Sequence, residues 1–358
     1  MFIDLKNAPK AELHVHLRGA MSPKAFKKLA DTYGVKNTFE SKFTEEKQNS
    51  LLEVESIKSF VESDGKDVGS LFQFTSYLNF LKTYLFTSSF FRTKNDIKDL
   101  IMDVTSQLVS QNIVYAEITV SAWEYVEMGI TLEDVFSALR EGEKEAEGNG
   151  LYINWIIDLV RNFGSEKCMQ ILKEVANLKH ERIVGINLGG DERGYPPEDF
   201  EQVYKKAKSL GFKLTVHSGE GLGAESVKKA ISLLKPDRIG HGVRAIESDE
   251  VVSSLAASGV PLEVCPTSNI LLGIYDSMDS HPIKKLFDAG VIITLSSDDP
   301  GYFGANLNQE IENIYGLGFS SNEVVKILRN GFEHSFIKDR ELKNRFLIKF
   351  DEYIKKGS

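Results

Sequence analysis

The chain has 358 residues, 42% of them hydrophobic, enough for a large core and a length ordinary for an α/β barrel. Its 43 basic and 52 acidic side chains leave a net charge of −9, which argues against nucleic acid as the partner and favours a small-molecule substrate. Two cysteines, Cys168 and Cys265, exclude a disulfide framework; with no export signal and no run near the roughly 18 apolar residues of a membrane span, a cytoplasmic protein without a membrane partner is expected.

In chain order the first apolar run is ELHVHL at 12–17. Read as a strand, it sends His14 and His16 from the same face, so one strand offers two nitrogen ligands to one metal ion. A long stretch follows, about 21–112, too long for a single crossover helix. Its charged first part gives way to the aromatic segment LFQFTSYLNFLKTYLFTSSFFRT. The aromatics are read either as helical core packing or, in part, as an apolar lid folded over a barrel mouth.

Seven further apolar runs come next: VYAEITV at 114–120, YINWIIDLV at 152–160, IVGINLGG at 183–190, KLTVHSGE at 213–220, RIGHGV at 238–243, PLEVCP at 261–266 and GVIITLSSDDP at 290–300. Segments between them, such as DVFSALREGEKEAE and AESVKKAISLL, carry apolar residues at helical spacings of three and four. Eight strands alternating with helices predict a parallel (β/α)8 TIM barrel: one domain over 1–358, with a helical lid insertion at about 21–112 and two closing helices at the C-terminus.

The polar motifs fall at the ends of these runs, which in a barrel converge on one face. His14, His16 and His217 with Asp298 meet the needs of a catalytic metal while leaving room for water. Taken singly, each has a blander reading: a lone histidine is usually a satisfied core residue, and acids before a proline often mark only a turn. Glu220, just past Gly219, points toward the mouth, where partial desolvation would raise its pKa and let it donate a proton. His241, between two glycines, is suited to orient the attacking hydroxide, and Asp299 to contact water or substrate. His180 reads as solvated, His281 as a helix start and His334 as a late helix residue, none of them in the site.

Together PKAELHVHLRGA at 9–20, NLGGDE at 187–192, HSGE at 217–220, RIGHG at 238–242, LEVCPTSN at 262–269 and SDDP at 297–300 resemble the adenosine deaminase family of metal-dependent amidohydrolases. The resemblance spans nearly the whole chain. It implies one Zn²⁺ per subunit held by His14, His16, His217 and Asp298. It further implies that Glu220 donates a proton to purine N1, that His241 and Asp299 orient the hydroxide, and that the Gly190 amide contacts N3. Water would add to C6, converting a 6-aminopurine to a 6-oxopurine plus ammonia. By the same resemblance, Phe80, Leu81 and Tyr84 of the aromatic insertion are expected to wall the sugar-side opening.

One position departs from the pattern. Where the family usually carries an acid to meet the sugar 5′-hydroxyl, this chain has Arg18. A cation there would suit a substituent bearing carboxylate or phosphate, or it would turn outward to a lid acid such as Glu53. NIVYAEITV and FFRTKND are also similar to the branch acting on 6-aminodeoxyfutalosine. Expected substrates are therefore adenosine or a 5′-modified adenosine, with 6-aminodeoxyfutalosine and adenine as alternatives. A catalytically silent nucleoside-binding protein is the alternative of another class.

Overall fold

Eight parallel strands follow one another around a nearly closed barrel in chain order: β1 (Lys10–His16), β2 (Ile113–Val120), β3 (Tyr152–Asp158), β4 (Ile183–Asn187), β5 (Lys213–Ser218), β6 (Arg238–His241), β7 (Leu262–Val264) and β8 (Ile293–Leu295). The computed structural model describes residues 4–74 and 76–357; Met1, Phe2, Ile3, Thr75 and Ser358, which fall within the expected domain and its insertion, lie outside the described residues. All eight predicted strands are present, and helices separate them as a (β/α)8 TIM barrel requires. β2, Ile-Val-Tyr-Ala-Glu-Ile-Thr-Val, is buried along its entire length, as befits a strand with helices outside and core inside. No helix among the described residues is long and apolar enough to cross a membrane.

Most of the predicted runs end early, three of them in a sharp turn. The strands stop at Asp158, Asn187 and Leu295, and the backbone then turns through left-handed conformations at Val160 (φ 50°), Gly190 (φ 100°) and Asp298 (φ 64°). These turns aim the residues after each strand across the mouth. The barrel closes between β1 and the segment after β8 by a parallel bridge of Val15 with Asp298. There the His16 amide donates to the Asp298 carbonyl at 2.9 Å, and the Asp298 amide to the His14 carbonyl at 3.0 Å.

The barrel interior carries a charged layer where branched apolar side chains are usual. Arg238 donates through Nε to Glu263 and through Nη2 to Glu117, each at 2.5 Å, with all three side chains buried. The Phe336 ring stacks 3.5 Å from the guanidinium carbon. A charge here is tolerable because the guanidinium meets two carboxylates and donates through Nη1 to the His334 carbonyl at 2.8 Å.

Among the described residues the insertion forms seven helices: α1 (Pro23–Tyr33), α2 (Val35–Lys42), α3 (Glu45–Leu52), α4 (Glu55–Glu62), α5 (Val68–Leu71), α6 (Tyr77–Ser88) and α7 (Lys94–Ser110). Ser22 caps α1 by accepting from the Ala25 amide, and Thr93 with Asp96 forms a capping box at α7. The aromatic segment faces two ways. Phe86, with Phe90 just beyond the helix, is fully buried against Phe26, Phe39 and Phe60. Phe80, Leu81 and Tyr84 instead line a cavity over the mouth.

Candidate active site

β1 ends with His14 and His16, β5 with His217, and the loop after β8 with Asp298. Their ligand atoms all lie within 4.8 Å of one another. The His16 and His217 Nε2 atoms face each other at 3.3 Å, and each of His14 and His16 presents Nε2 to Asp298 Oδ1 at 3.3 Å. His14 Nε2 is buried and makes no hydrogen bond among the described residues. Lone pairs converging on one point beside a carboxylate are the donor set of a cation, and three imidazoles with one carboxylate fit a zinc-type ion.

Each ring is aimed from behind. His14 Nδ1 bonds Glu263 Oε2 at 2.7 Å, and Glu263 is the acid held by Arg238. His217 Nδ1 bonds the Asn187 amide oxygen at 3.0 Å, while Asn187 Nδ2 donates to Asp158 Oδ1 at 3.0 Å. Asp298 Oδ2 accepts from the Ser268 hydroxyl at 2.7 Å. Burial opposes charge on Glu263, but Arg238 and His14 hold its carboxyl at about 2. Burial and the neighbouring histidines push His217 well below its usual value, which keeps its lone pair free.

Close backbone approach makes the cluster possible at two glycines. A Cβ on Gly240 would stand 2.8 Å from His14 Cε1, and one on Gly19 would overlap the Asp299 carboxylate at 1.5 Å. His241 adopts φ 57° between Gly240 and Gly242, bringing Nε2 to 3.5 Å from Glu220 Oε1 and 3.9 Å from Asp298 Oδ2. Burial raises the Glu220 pKa. Burial and the adjacent Asp298 raise Asp299 to about 7. Asp299 is thus poised to hold or release a proton near neutrality, and Glu220 keeps its proton above the usual carboxylate range.

A cavity of about 420 Å³ opens over these groups, a size ordinary for a small-molecule site. His16, His217, Glu220, His241, Asp298 and Asp299 form its floor; Tyr77, Phe80, Leu81, Tyr84 and Leu85 form an apolar wall; Gly189, Gly190 and Asp158 lie on the β3–β4 side. Arg18 is not among the lining residues. It is buried, forms an ion pair with Glu124 and stands over the Tyr84 and Tyr125 rings at 4.7 and 5.5 Å. Nor does it reach Glu53, which pairs with Lys82 at 2.7 Å.

Several positions that carry the site were given no role from sequence, although most lie inside the motifs quoted above. Glu263, Asn187, Ser268 and Asp158 act on or beside the ligands, and Glu192 accepts from the Gly219 and Leu222 amides at 2.9 Å, shaping the loop that carries Glu220. The available signal was a lone polar residue inside an apolar run, as in Leu262-Glu263-Val264, since a buried charge there must have a partner. His180 is not solvated: its side chain is 5% exposed and meets Glu143 at 2.8 Å. His281 does stand just before a helix, Ile283–Asp288, but it is buried and joined to the site through Asn269.

A family model described as adenosine deaminase matches residues 9–353. The adenine deaminase of Paraburkholderia xenovorans (strain LB400) is 33% identical over 350 residues, covering 97% of this chain and 93% of that protein. The crystal structure of an adenine deaminase from Arthrobacter aurescens superposes with a TM-score of 0.84 at 26% identity, covering 97% and 99% of the two chains. An amidohydrolase from Burkholderia ambifaria, solved with bound Zn, shares the fold with a TM-score of 0.81 at 22% identity over 98% and 93%.

Proposed function

Because the chain belongs to the adenosine deaminase family, we propose that it hydrolyses the 6-amino group of a 6-aminopurine, with adenine as the leading substrate rather than adenosine. The product would be the 6-oxopurine, hypoxanthine in the case of adenine, plus ammonia. The observation that carries adenine over a charged nucleoside is the cavity lining: it has five acidic side chains beside the cluster and above it, no lysine and no arginine, and Arg18 is committed to Glu124. The 33%-identical relative named adenine deaminase supports the same substrate.

In this reading the purine lies between the aromatic wall of α6 and the ends of β3 to β5. Glu220, raised by burial, donates a proton to N1, which makes C6 electrophilic. The Gly190 amide donates to N3. Asp158 accepts the Asn187 and Gly189 donors on Oδ1, while Oδ2 meets only the Ser121 hydroxyl at 3.2 Å. That oxygen has capacity to accept a purine N9–H, a hydrogen that only the free base carries. Asp299 takes a proton from the attacking water and returns it to the departing nitrogen, and His241 holds the water's oxygen. One Zn²⁺ per subunit on His14, His16, His217 and Asp298 would lower the pKa of the water that attacks.

A second reading is favoured by one observation. A cleft sharing Tyr77, Gly190, Glu220 and Leu272 with the cavity also carries Arg193 and Arg244, cations suited to a 5′-phosphate. The test is ammonia release and kcat/KM for adenine, adenosine, 5′-methylthioadenosine, AMP and 6-aminodeoxyfutalosine, with metal content measured on the same preparation. Adenine is expected to lead. A higher value for AMP would select the second reading, and no ammonia from any of them would sink both.

A further inference from the structure

A chain of three side chains runs from the Ile283 backbone to the floor of the cavity. The Ile283 amide donates to His281 Nδ1 at 3.2 Å, His281 Nε2 meets the Asn269 amide oxygen at 3.0 Å, and Asn269 Nδ2 meets His241 Nδ1 at 3.1 Å. All three side chains are buried. A backbone N–H can only donate, so His281 Nδ1 must accept, and the proton of that ring sits on Nε2. Nε2–H must then face an acceptor, which fixes the Asn269 oxygen toward His281 and its NH₂ toward His241. His241 Nδ1 therefore accepts as well. The opposite amide orientation would face a nitrogen donor with the His281 Nε2–H, two hydrogens in one buried contact.

We infer that His281 and Asn269 are positioning residues that lock neutral His241 in the Nε2–H form, making it a fixed hydrogen-bond donor to the attacking oxygen and not its base. The inference deepens the hydrolytic reading above and rests on it for the identity of that oxygen. Its geometry is independent of any substrate: His241 Nε2 is buried, has no hydrogen-bond partner among the described residues and points at Glu220 and Asp298. Helix Pro266–Leu271 holds the amide in place, since the Asn269 backbone N–H donates to the Cys265 carbonyl at 3.1 Å. The Tyr275 ring packs edge-on against His281 at 5.4 Å. With His241 restricted to donation, the water's proton goes to a carboxylate, Asp299 in the scheme above, which leaves the proton count unchanged.

The experiment is nitrogen-15 NMR of histidine-labelled full-length protein, zinc-loaded and metal-free, with the His241 signals assigned by their loss in His241→Asn. Resting wild type is expected to show a protonated Nε2 and an unprotonated Nδ1. Asn269→Asp replaces the donor with an acceptor, so the proton should move to Nδ1 and the pattern invert. Adenine turnover should fall in kcat by about 10²- to 10⁴-fold, as for a catalytic histidine held in the wrong tautomer, with zinc content and KM nearly unchanged. His281→Ala frees the amide to rotate and should give a mixture of both patterns. A wild-type spectrum with the proton on Nδ1 overturns the inference even if no variant folds, and so does inversion in Asn269→Asp with kcat unaltered. Absence of ammonia release by wild type would instead count against the proposed function and leave the tautomer assignment to the spectrum.

Discussion

Burial beside the histidine cluster raises the Glu220 pKa and so favours its protonated form. Glu220→Gln keeps the shape but has no proton to give to a ring nitrogen as an acid does, so kcat for adenine is expected to fall about 10²- to 10⁴-fold; metal analysis should find the ion retained. Turnover within tenfold of wild type would remove Glu220 from the proton path. Arg18 belongs to the framework rather than the cavity, and Arg18→Ala leaves a mostly buried Glu124 without its partner. A loss of about 3 kcal/mol in unfolding free energy is expected, with kcat/KM reduced equally for neutral and anionic substrates. A selective loss for AMP would return Arg18 to substrate binding. His281 supplies a pH signature. Burial, and then His241, depress its pKa to about 3 from the ordinary 6.5. Between these values the unfolded chain binds more protons than the folded one, so the stability this ring contributes is complete above pH 6.5 and is lost as pH falls toward 3. The contribution is on the order of 5 kcal/mol. Urea unfolding at several pH values should show a shallower acid dependence in His281→Gln than in wild type; parallel curves would contradict the assignment.

At the scale of elements, α6 divides its labour by face, burying Phe86 in the core and presenting Phe80, Leu81 and Tyr84 to the cavity. Leu81→Ala trims that wall without touching the floor. Removing about 1–2 kcal/mol of apolar contact should raise KM some 5- to 30-fold at nearly constant kcat, read by initial-rate kinetics on adenine. The same division explains what could be read from the chain alone. Strand periodicity revealed His14 and His16, because a spacing of two is enough to put both on one face. The eight runs revealed the barrel, and its geometry then gathered His217, Glu220, His241 and the two aspartates. Arg18 was misjudged because its partner Glu124 comes from the helix after β2, more than 100 residues away in sequence. Asn269 and His281 were passed over for a related reason. Each makes its contribution through another side chain, and only the folded path after β7 brings them behind His241.

For the whole molecule, metal binding and stability should be one quantity. Three imidazoles and a carboxylate drawn from β1, β5 and the segment after β8 meet only in the folded state, so an ion held by them would stabilise that state alone. An ion present at a thousand times its Kd would add about 4 kcal/mol. Thermal unfolding before and after chelation, and after zinc is restored, should show a reversible drop and recovery of several degrees; coincident curves would mean that the cluster holds no ion. The charged layer beneath is coupled to this. Arg238 holds Glu263, which orients His14, so loss of Arg238 should weaken metal binding as well as folding.

The seam that closes the barrel has a consequence in time. His14 and His16 leave the ribosome with the first strand, but Asp298, which bonds both to the ion's ligands and to their backbone, emerges roughly 280 residues later. At about 5–20 residues per second that is an interval on the order of 15–60 s. A nascent chain therefore carries an incomplete cluster through most of its synthesis. On the proposed reading the ion is bound only once the last strand is in place, and maturation is a terminal event that draws on metal at hand when translation is nearly over.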